Sequence, residues 1–256
     1  MIRSTNVTQA RLRRWALVLL SVVALLGFAA AKSDLRPPPL DPVEGARQAR
    51  LLVDDLLKQK PDESTTNTGR LIIRDSRNKK KEIPARFQVL TTPTNWISVF
   101  ETLDATNERL VIIHSPARPN RYELFRQAQK QPLDDCNAMV PFAGSDFWAA
   151  DLGLEFLHWP KQRLLRKEMI RSQFCGVLES SGVEPGTNGY QRVLSWIDLD
   201  SGAIVKGEAY DGRNQLFKRF DPTELKKIEG KYHLEEMEMR NRRTGSQTTI
   251  KFDLKK

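Results

Sequence analysis

The feature that most constrains this chain is the regular punctuation of residues 70–126 and 163–254. Short runs of β-forming residues recur there, and turn residues cut between them. The turns are Asn78 beside three lysines, Pro93, Asn107, the 116–120 loop, Asn188-Gly189, Asp200-Ser201-Gly202, Asp211-Gly212 and Thr244-Gly245. Such spacing predicts a meandering antiparallel sheet or barrel. Strands are expected at 71–75, 85–91, 96–103, 109–115 and 122–126. Seven more are expected at 163–171, 173–180, 190–198, 204–211, 216–228, 231–240 and 246–254. In Ala85-Arg86-Phe87-Gln88-Val89 apolar and polar residues alternate, the mark of a strand with one dry face. A sheet of about twelve strands tends to curl or split, so the fold expected is mainly β, an α+β chain built on one strongly curved sheet.

Two segments depart from this pattern. Residues 43–59 carry Val43, Ala46, Leu52, Leu56 and Leu57 at helical spacing, and Pro42 can open the helix. Residues 146–158, DFWAADLGLEFLH, also read as a helix, with Ser145 or Asp146 as cap and Pro160 as terminator. That segment is apolar for its length, which motivates the expectation that it moves as a lid. Residues 60–69 read as a polar turn region and 127–141 as irregular. Residues 32–42, with three consecutive prolines, read as an extended tether.

Residues 1–31 have the layout of a cleaved secretory signal. Four arginines without an acidic residue precede the uncharged run WALVLLSVVALLGF, and Ala29-Ala30-Ala31 follows. The run is shorter than the roughly 20 residues a spanning helix needs. The expectation is cleavage near Ala31 and a soluble protein outside the cytoplasm, in the periplasm. The full chain carries a net charge of +9; without the four arginines, 37 basic residues face 32 acidic ones, a net of +5. Short basic clusters on an exported chain argue against nucleic acid as a partner and suit attraction to an anionic membrane surface.

Familiar catalytic patterns are missing. There is no G-x-S-x-G, no H-E-x-x-H and no phosphate loop. Ser145 and His158 can be paired only on paper, so an exported hydrolase is the weakest reading, and no catalytic residue is assigned. Three scattered histidines and two cysteines give no metal-ligand spacing; neither metal nor cofactor is expected. Cys136 and Cys175 form a disulfide or remain thiols. A bridge between them would contribute roughly 4 kcal/mol, but Cys175 also suits a buried strand position.

From residue 140 onward the chain resembles the outer-membrane lipoprotein-sorting proteins, the LolA-like family of periplasmic lipoprotein carriers. The resemblance lies in an ordered set: Gly144-Ser145-Asp146-Phe147, Asp151-Leu152, Cys175-Gly176-Val177-Leu178-Glu179, Arg192-Val193-Leu194, Trp196-Ile197-Asp198, Tyr210-Asp211, Leu216-Phe217-Lys218, Glu238-Met239, Thr244-Gly245 and Thr249-Ile250-Lys251-Phe252. Gly176 stands where the family often has an aromatic, and Gly230-Lys231-Tyr232-His233-Leu234 lacks the family's proline. The resemblance implies one domain over 43–256, an incomplete β-barrel with helices covering its concave side. It implies a monomeric carrier without catalysis, binding lipoprotein acyl chains or other lipid. An inner-membrane transporter and an outer-membrane acceptor would be its partners. A sensor or regulatory module on the same half-barrel is the alternative. The residues expected to line the lipid cavity are Phe87, Val89, Trp96, Trp148, Leu152, Trp196, Tyr210, Met237 and Met239.

Overall fold

The computed structural model describes residues 37–115, 118–131, 138–182, 189–228 and 230–254. The expected signal segment and the first five residues of the tether, 32–36, therefore lie outside the described residues. One helix, α1 (Pro42–Lys58), opens the domain. Asp41 caps it, its Oδ1 accepting from Val43 N (3.0 Å) and Glu44 N (3.1 Å), and Pro42 sits where no intrahelical donor is required. Such a cap contributes about 1 kcal/mol. Among the described residues no helix is long and apolar enough to cross a membrane.

Six strands follow: β1 (Thr65–Arg74), β2 (Lys80–Thr91), β3 (Trp96–Thr102), β4 (Glu108–Ser115), β5 (Arg118–Arg126) and β6 (Gln129–Gln131). A crossover segment carries the short helix α2 (Ala149–Leu152) and a 3-10 turn (Glu155–His158). Seven strands complete the chain: β7 (Lys161–Ile170), β8 (Gln173–Ser181), β9 (Arg192–Asp198), β10 (Ile204–Tyr210), β11 (Leu216–Ile228), β12 (Lys231–Asn241) and β13 (Gln247–Phe252). All thirteen belong to one antiparallel sheet in the order β6-β5-β4-β3-β2-β1-β13-β12-β11-β10-β9-β8-β7. The first and last strands are neighbours inside the sheet. The β6 and β7 strands are its edges.

The expected strands are present, and three expectations need correction. A thirteenth strand, β6, lies in the stretch read as irregular. Its hairpin turns through Gln127 and Ala128, both at positive φ (49° and 63°). Such turns usually carry Asn-Gly or Asp-Gly, so Gln-Ala gave no signal. The β1 strand begins at Thr65, inside the stretch read as a polar turn. Its first residues face solvent yet pair with β2 from Thr65↔Val89 to Gly69↔Ala85. The helix expected over 146–158 is two pieces. Leu154 takes the left-handed conformation (φ 51°, ψ 41°), which breaks the helical path between α2 and the 3-10 turn.

Alternation places the core on one face. On β9, Val193 and Ile197 join a cluster that includes Leu164, Leu178, Phe156, Leu157 and Trp159. On β2, Phe87 joins Leu71, Leu110, Ile112, Ile250 and Phe142. Leu194 and Trp196, out of phase on β9, join a third cluster with Cys175, Val177 and Val205. Neighbouring side chains on a strand point to opposite faces, so this third cluster lies on the other side of the sheet.

Helix α1 covers the β7 end of the first face, burying Ala49 and Val53. Gly45 permits the close approach: a Cβ there would stand 2.6 Å from the Leu164 carbonyl oxygen, a backbone atom that cannot swing aside. Replacing Gly45 by valine should therefore lift α1 from β7 and cost about 1–3 kcal/mol, read as a lowered urea midpoint with an unchanged m-value.

Candidate functional site

The crossover segment leaves one edge of the sheet and must reach the other, so it runs across the apolar face. It enters as a tight hairpin. Ala149 N donates to Val140 O (2.9 Å), Ala150 N to Ala138 O (2.8 Å) and Phe142 N to Phe147 O (2.9 Å). Phe142, Phe147 and Ala149 fill the region between β1–β5 and β13, and Ala150, Phe156, Leu157 and Trp159 fill that before β8 and β9. The 3-10 turn approaches both β5 and β8. Gly153 sits where the segment crosses Tyr122; a Cβ there would stand 2.3 Å from the Tyr122 hydroxyl oxygen.

Apolar contact alone would let this segment slide. Two polar groups fix it instead. On one side Asp151 accepts from three donors: Tyr190 OH to Oδ1 (2.6 Å), Lys218 Nζ to Oδ2 (2.9 Å) and the Trp148 backbone N to Oδ2 (2.8 Å). Lys218 is 1% exposed and also lies 3.6 Å from the centroid of the Trp148 ring. A buried ammonium needs such partners. Burial pulls the Lys218 pKa down and Asp151 opposes it; burial pushes Tyr190 well up.

On the other side a row of groups runs along β3, β4 and β5. Ser98 Oγ lies 3.0 Å from His114 Nε2, and His114 Nδ1 lies 3.1 Å from Asn120 Oδ1. Asn120 Nδ2 donates to the Gly153 carbonyl (2.6 Å), and Tyr122 OH donates to Glu155 Oε2 (2.7 Å). Because Asn120 Oδ1 only accepts, the network assigns the proton of a neutral His114 to Nδ1. Burial lowers His114 to about 4, against the Asn120 bond, and His158 adds to the lowering. Burial raises Glu155 despite the Tyr122 bond, and raises Tyr122 itself. A hydroxyl, an imidazole and an amide in this order also serve hydrolysis in enzymes, but here the amide is committed to holding Gly153. At the far end of the segment, Asp146 Oδ1 accepts from Ser246 (2.6 Å) and Oδ2 from Thr248 (2.9 Å). Glu108 Oε1 accepts from Ala143 N (2.7 Å).

The residues expected to line a cavity divide. Phe87 and Met239 are buried on the face under the crossover; Leu152 and Met237 pack at its margin. Val89 shares the strand face of Phe87 and is half-buried. Trp148 is in the crossover itself, stacked on Tyr190 with ring centroids 5.6 Å apart. Trp96 is half-buried and stacks on His114 at 4.9 Å. Trp196 and Tyr210 belong to the opposite face. Trp196 donates to Glu168 (2.5 Å) under Lys206, and Arg192 lies over the Tyr210 ring. Cys175 is a free, buried thiol on that face, its pKa raised by burial; Cys136 lies outside the described residues. Ser145 is engaged inside its own turn, with the Phe147 backbone. Asp151, Lys218, Tyr190, His114, Asn120, Tyr122 and Glu155 carry the clasp, and the sequence reading assigned a role to none of them. The available signal was that Asp151 and Lys218 both stand in the ordered set that carries the resemblance; β11 itself holds several charged residues, so Lys218 does not stand out by composition.

A family model described as an uncharacterized-protein-like family matches residues 108–255. No curated protein sequence matches the chain. Among solved structures, a DUF1329 family protein from Desulfovibrio piger superposes with a TM-score of 0.67 at 16% identity, covering 84% of this chain and 92% of that one. A putative outer membrane lipoprotein-sorting protein domain from Vibrio parahaemolyticus gives 0.66 at 18% identity, covering 83% and 90%. A LolA superfamily protein from Nitrosomonas europaea gives 0.56 at 19% identity, covering 82% and 92%. At these identities the likeness is one of fold.

Two outcomes test the clasp. Lys218→Met should destabilise the protein by about 3–5 kcal/mol, since it leaves Asp151 buried without its cation; chemical unfolding measures this. His114, neutral when folded, makes its full contribution above pH 6.5. The contribution falls as pH drops from there to about 4, because the unfolded chain takes up a proton that the folded one refuses. His114→Gln should remove roughly 3 kcal/mol of that acid-side loss. Glu155, whose raised pKa acts in the opposite sense, is common to both proteins, so the difference between their stability–pH curves isolates His114.

Proposed function

The chain belongs to the family whose model spans its residues 108–255 and has the fold of the lipoprotein-sorting proteins, and from that premise we propose that it is a lipid carrier. It shelters acyl chains of lipoproteins or other lipids on the sheet face now covered by the crossover, and it does so without catalysis.

The observation that carries this reading is that one broad apolar face is covered by a segment of the same chain, held at its margins by polar bonds. A covering of that kind can be exchanged for another apolar occupant. The free-energy scales are comparable: burying an acyl chain of about 16 carbons is worth roughly 12 kcal/mol, against re-exposing Phe142, Phe147, Phe156, Leu157 and Trp159 at about 1.5–3 kcal/mol each and breaking a few hydrogen bonds at about 1 kcal/mol each, so the two or three chains of a lipoprotein can displace the cover. In the loaded state the crossover would withdraw, and Phe87, Val89, Met237 and Met239 would meet the lipid, with Trp96, Leu152 and Trp148 at the rim. Methionine suits such a lining because its flexible thioether adapts to irregular chains.

We infer further that the sheet curls into a half-barrel around the crossover. The β5 and β8 strands stand ten positions apart in the sheet, roughly 48 Å if it were flat at about 4.8 Å per strand. A four-residue turn that approaches both supports a sheet that bends toward it. The residues of the N-terminal run and the lipoprotein-sorting fold together favour the periplasm as the site of action, with a transporter on one side and an outer-membrane acceptor on the other.

Locking the crossover should block loading. In a background lacking Cys136 and Cys175, the pair D146C/S246C places two thiols where hydrogen-bonded side chains now meet at 2.6 Å. Oxidation should suppress uptake of a fluorescent fatty-acyl probe at least ten-fold, and reduction should restore it; equal uptake in both states would refute a moving cover. Native mass spectrometry of protein taken from the periplasm of its host should show a lipid adduct, which delipidation removes.

A further inference from the structure

The longest hairpin of the sheet overruns its neighbours. The β10 strand pairs with β11 only as far as Gly207↔Phe220, and β13 pairs with β12 only as far as Glu236↔Lys251. Beyond these points four cross-strand pairs remain, from Leu225↔Leu234 through Lys226↔His233 and Lys227↔Tyr232 to Ile228↔Lys231. Leu225, Lys227, Tyr232 and Leu234 share one face of this projection. Leu225 is 56% exposed and Tyr232 71% exposed, and Lys227 Nζ lies 5.6 Å from the Tyr232 ring centroid.

A second hairpin end stands beside its base. Arg171, in the β7–β8 turn, donates to the Pro222 carbonyl (3.1 Å) and pairs with Asp221 (3.2 Å). In that second hairpin Met169 and Phe174 lie opposite each other, 63% and 47% exposed. Four of the large apolar side chains left exposed among the described residues are thus at one end of the sheet, with lysines and an arginine between them.

We propose that this end docks on an anionic lipid bilayer, with Leu225 and Tyr232 entering the interfacial layer and Lys227 meeting lipid phosphates; Lys226, on the opposite face, is held by the Leu254 carbonyl (2.9 Å) and Glu235. Tyrosine favours the interface because its ring is apolar and its tip is wet. Lysine can bury its stem and leave its charge at the headgroups. A small apolar anchor binds a membrane weakly by itself and becomes effective with a cationic second signal, and both are on this hairpin. A bilayer suits the site better than a protein. A stable protein interface needs about 800 Å² from each partner, whereas a projecting two-stranded tip offers a small footprint that a fluid surface can close around. The inference adds to the carrier reading the place where the molecule meets a membrane, and it does not depend on an acyl cavity.

Flotation of the full mature chain with phosphatidylcholine vesicles, with and without a one-third share of phosphatidylglycerol, tests it. The wild type should float with the anionic vesicles and be released by high salt. L225S/Y232S should lower the partition coefficient about ten-fold or more, and K227E should lower the preference for anionic lipid. All three side chains are exposed on the projecting tip, so circular dichroism should be unchanged. Failure of the wild type to float, or flotation of both variants at the wild-type level, overturns the proposal. Uptake of the acyl probe without vesicles should be the same in L225S/Y232S as in wild type. In the wild type, absence of vesicle binding with uptake intact counts against docking alone, and absence of uptake with binding intact counts against the carrier alone.

Discussion

Everything in this domain follows from where its two ends meet. The β1 and β13 strands pair inside the sheet, from Gly69↔Phe252 to Arg74↔Gln247. Successive hairpins therefore run outward to β6 on one side and return from β7 on the other. The chain has to travel between those edges once, and the only economical route is across a face. The crossover is thus a product of topology before it is a feature of any site. Its apolar residues, Phe142, Phe147, Phe156, Leu157 and Trp159, then follow from the face it must cover.

The polar clasp is the costly part of that cover. Buried ion pairs seldom stabilise a protein more than apolar packing of the same volume would. A lysine beside an aspartate under a tryptophan is therefore poorly explained as a source of stability. It does fix position. An apolar strip on an apolar face has many nearly equal seatings, whereas Asp151 with three donors and Gly153 with one amide have a single good arrangement. Bonds of that kind also break as a set, which suits a cover that is either seated or gone.

Much of the sheet was legible because turn chemistry and alternation are local. Asn78 and Asn107 take the positive φ that their turns require, and Gly202 and Gly245 do the same. The misses have equally local causes. Gln127 and Ala128 adopt a glycine-like geometry without glycine, and the Thr65 end of β1 has no buried face to reveal it. The expected helix over 146–158 breaks at Leu154, a strong helix former that takes the left-handed conformation between two residues bonded to β5, Gly153 to Asn120 and Glu155 to Tyr122. The candidate lining was only partly legible. Phase within one strand is readable, as for Phe87 with Val89 and Met237 with Met239, but which phase faces the crossover is set by distant strands. Trp196 and Tyr210 lie on the face opposite the crossover, because bulk alone does not tell one apolar face from the other when both are buried. The clasp was invisible because its partners are far apart in sequence, as Lys218 is from Asp151.

The position of the clasp has a mechanical consequence. Asp151 is tied to Lys218 on β11, and Glu155, four residues later, is tied to Tyr122 on β5. Those two strands are seven places apart in the sheet, and the ladder between the two halves has a single central seam at β1 and β13. The crossover is therefore a strut in parallel with that seam. While it is seated, load applied to one half is shared by the other, and the thirteen strands should yield as one cooperative unit. When it is released, the seam alone joins two sheets of six and seven strands, each free to flex at its own compliance.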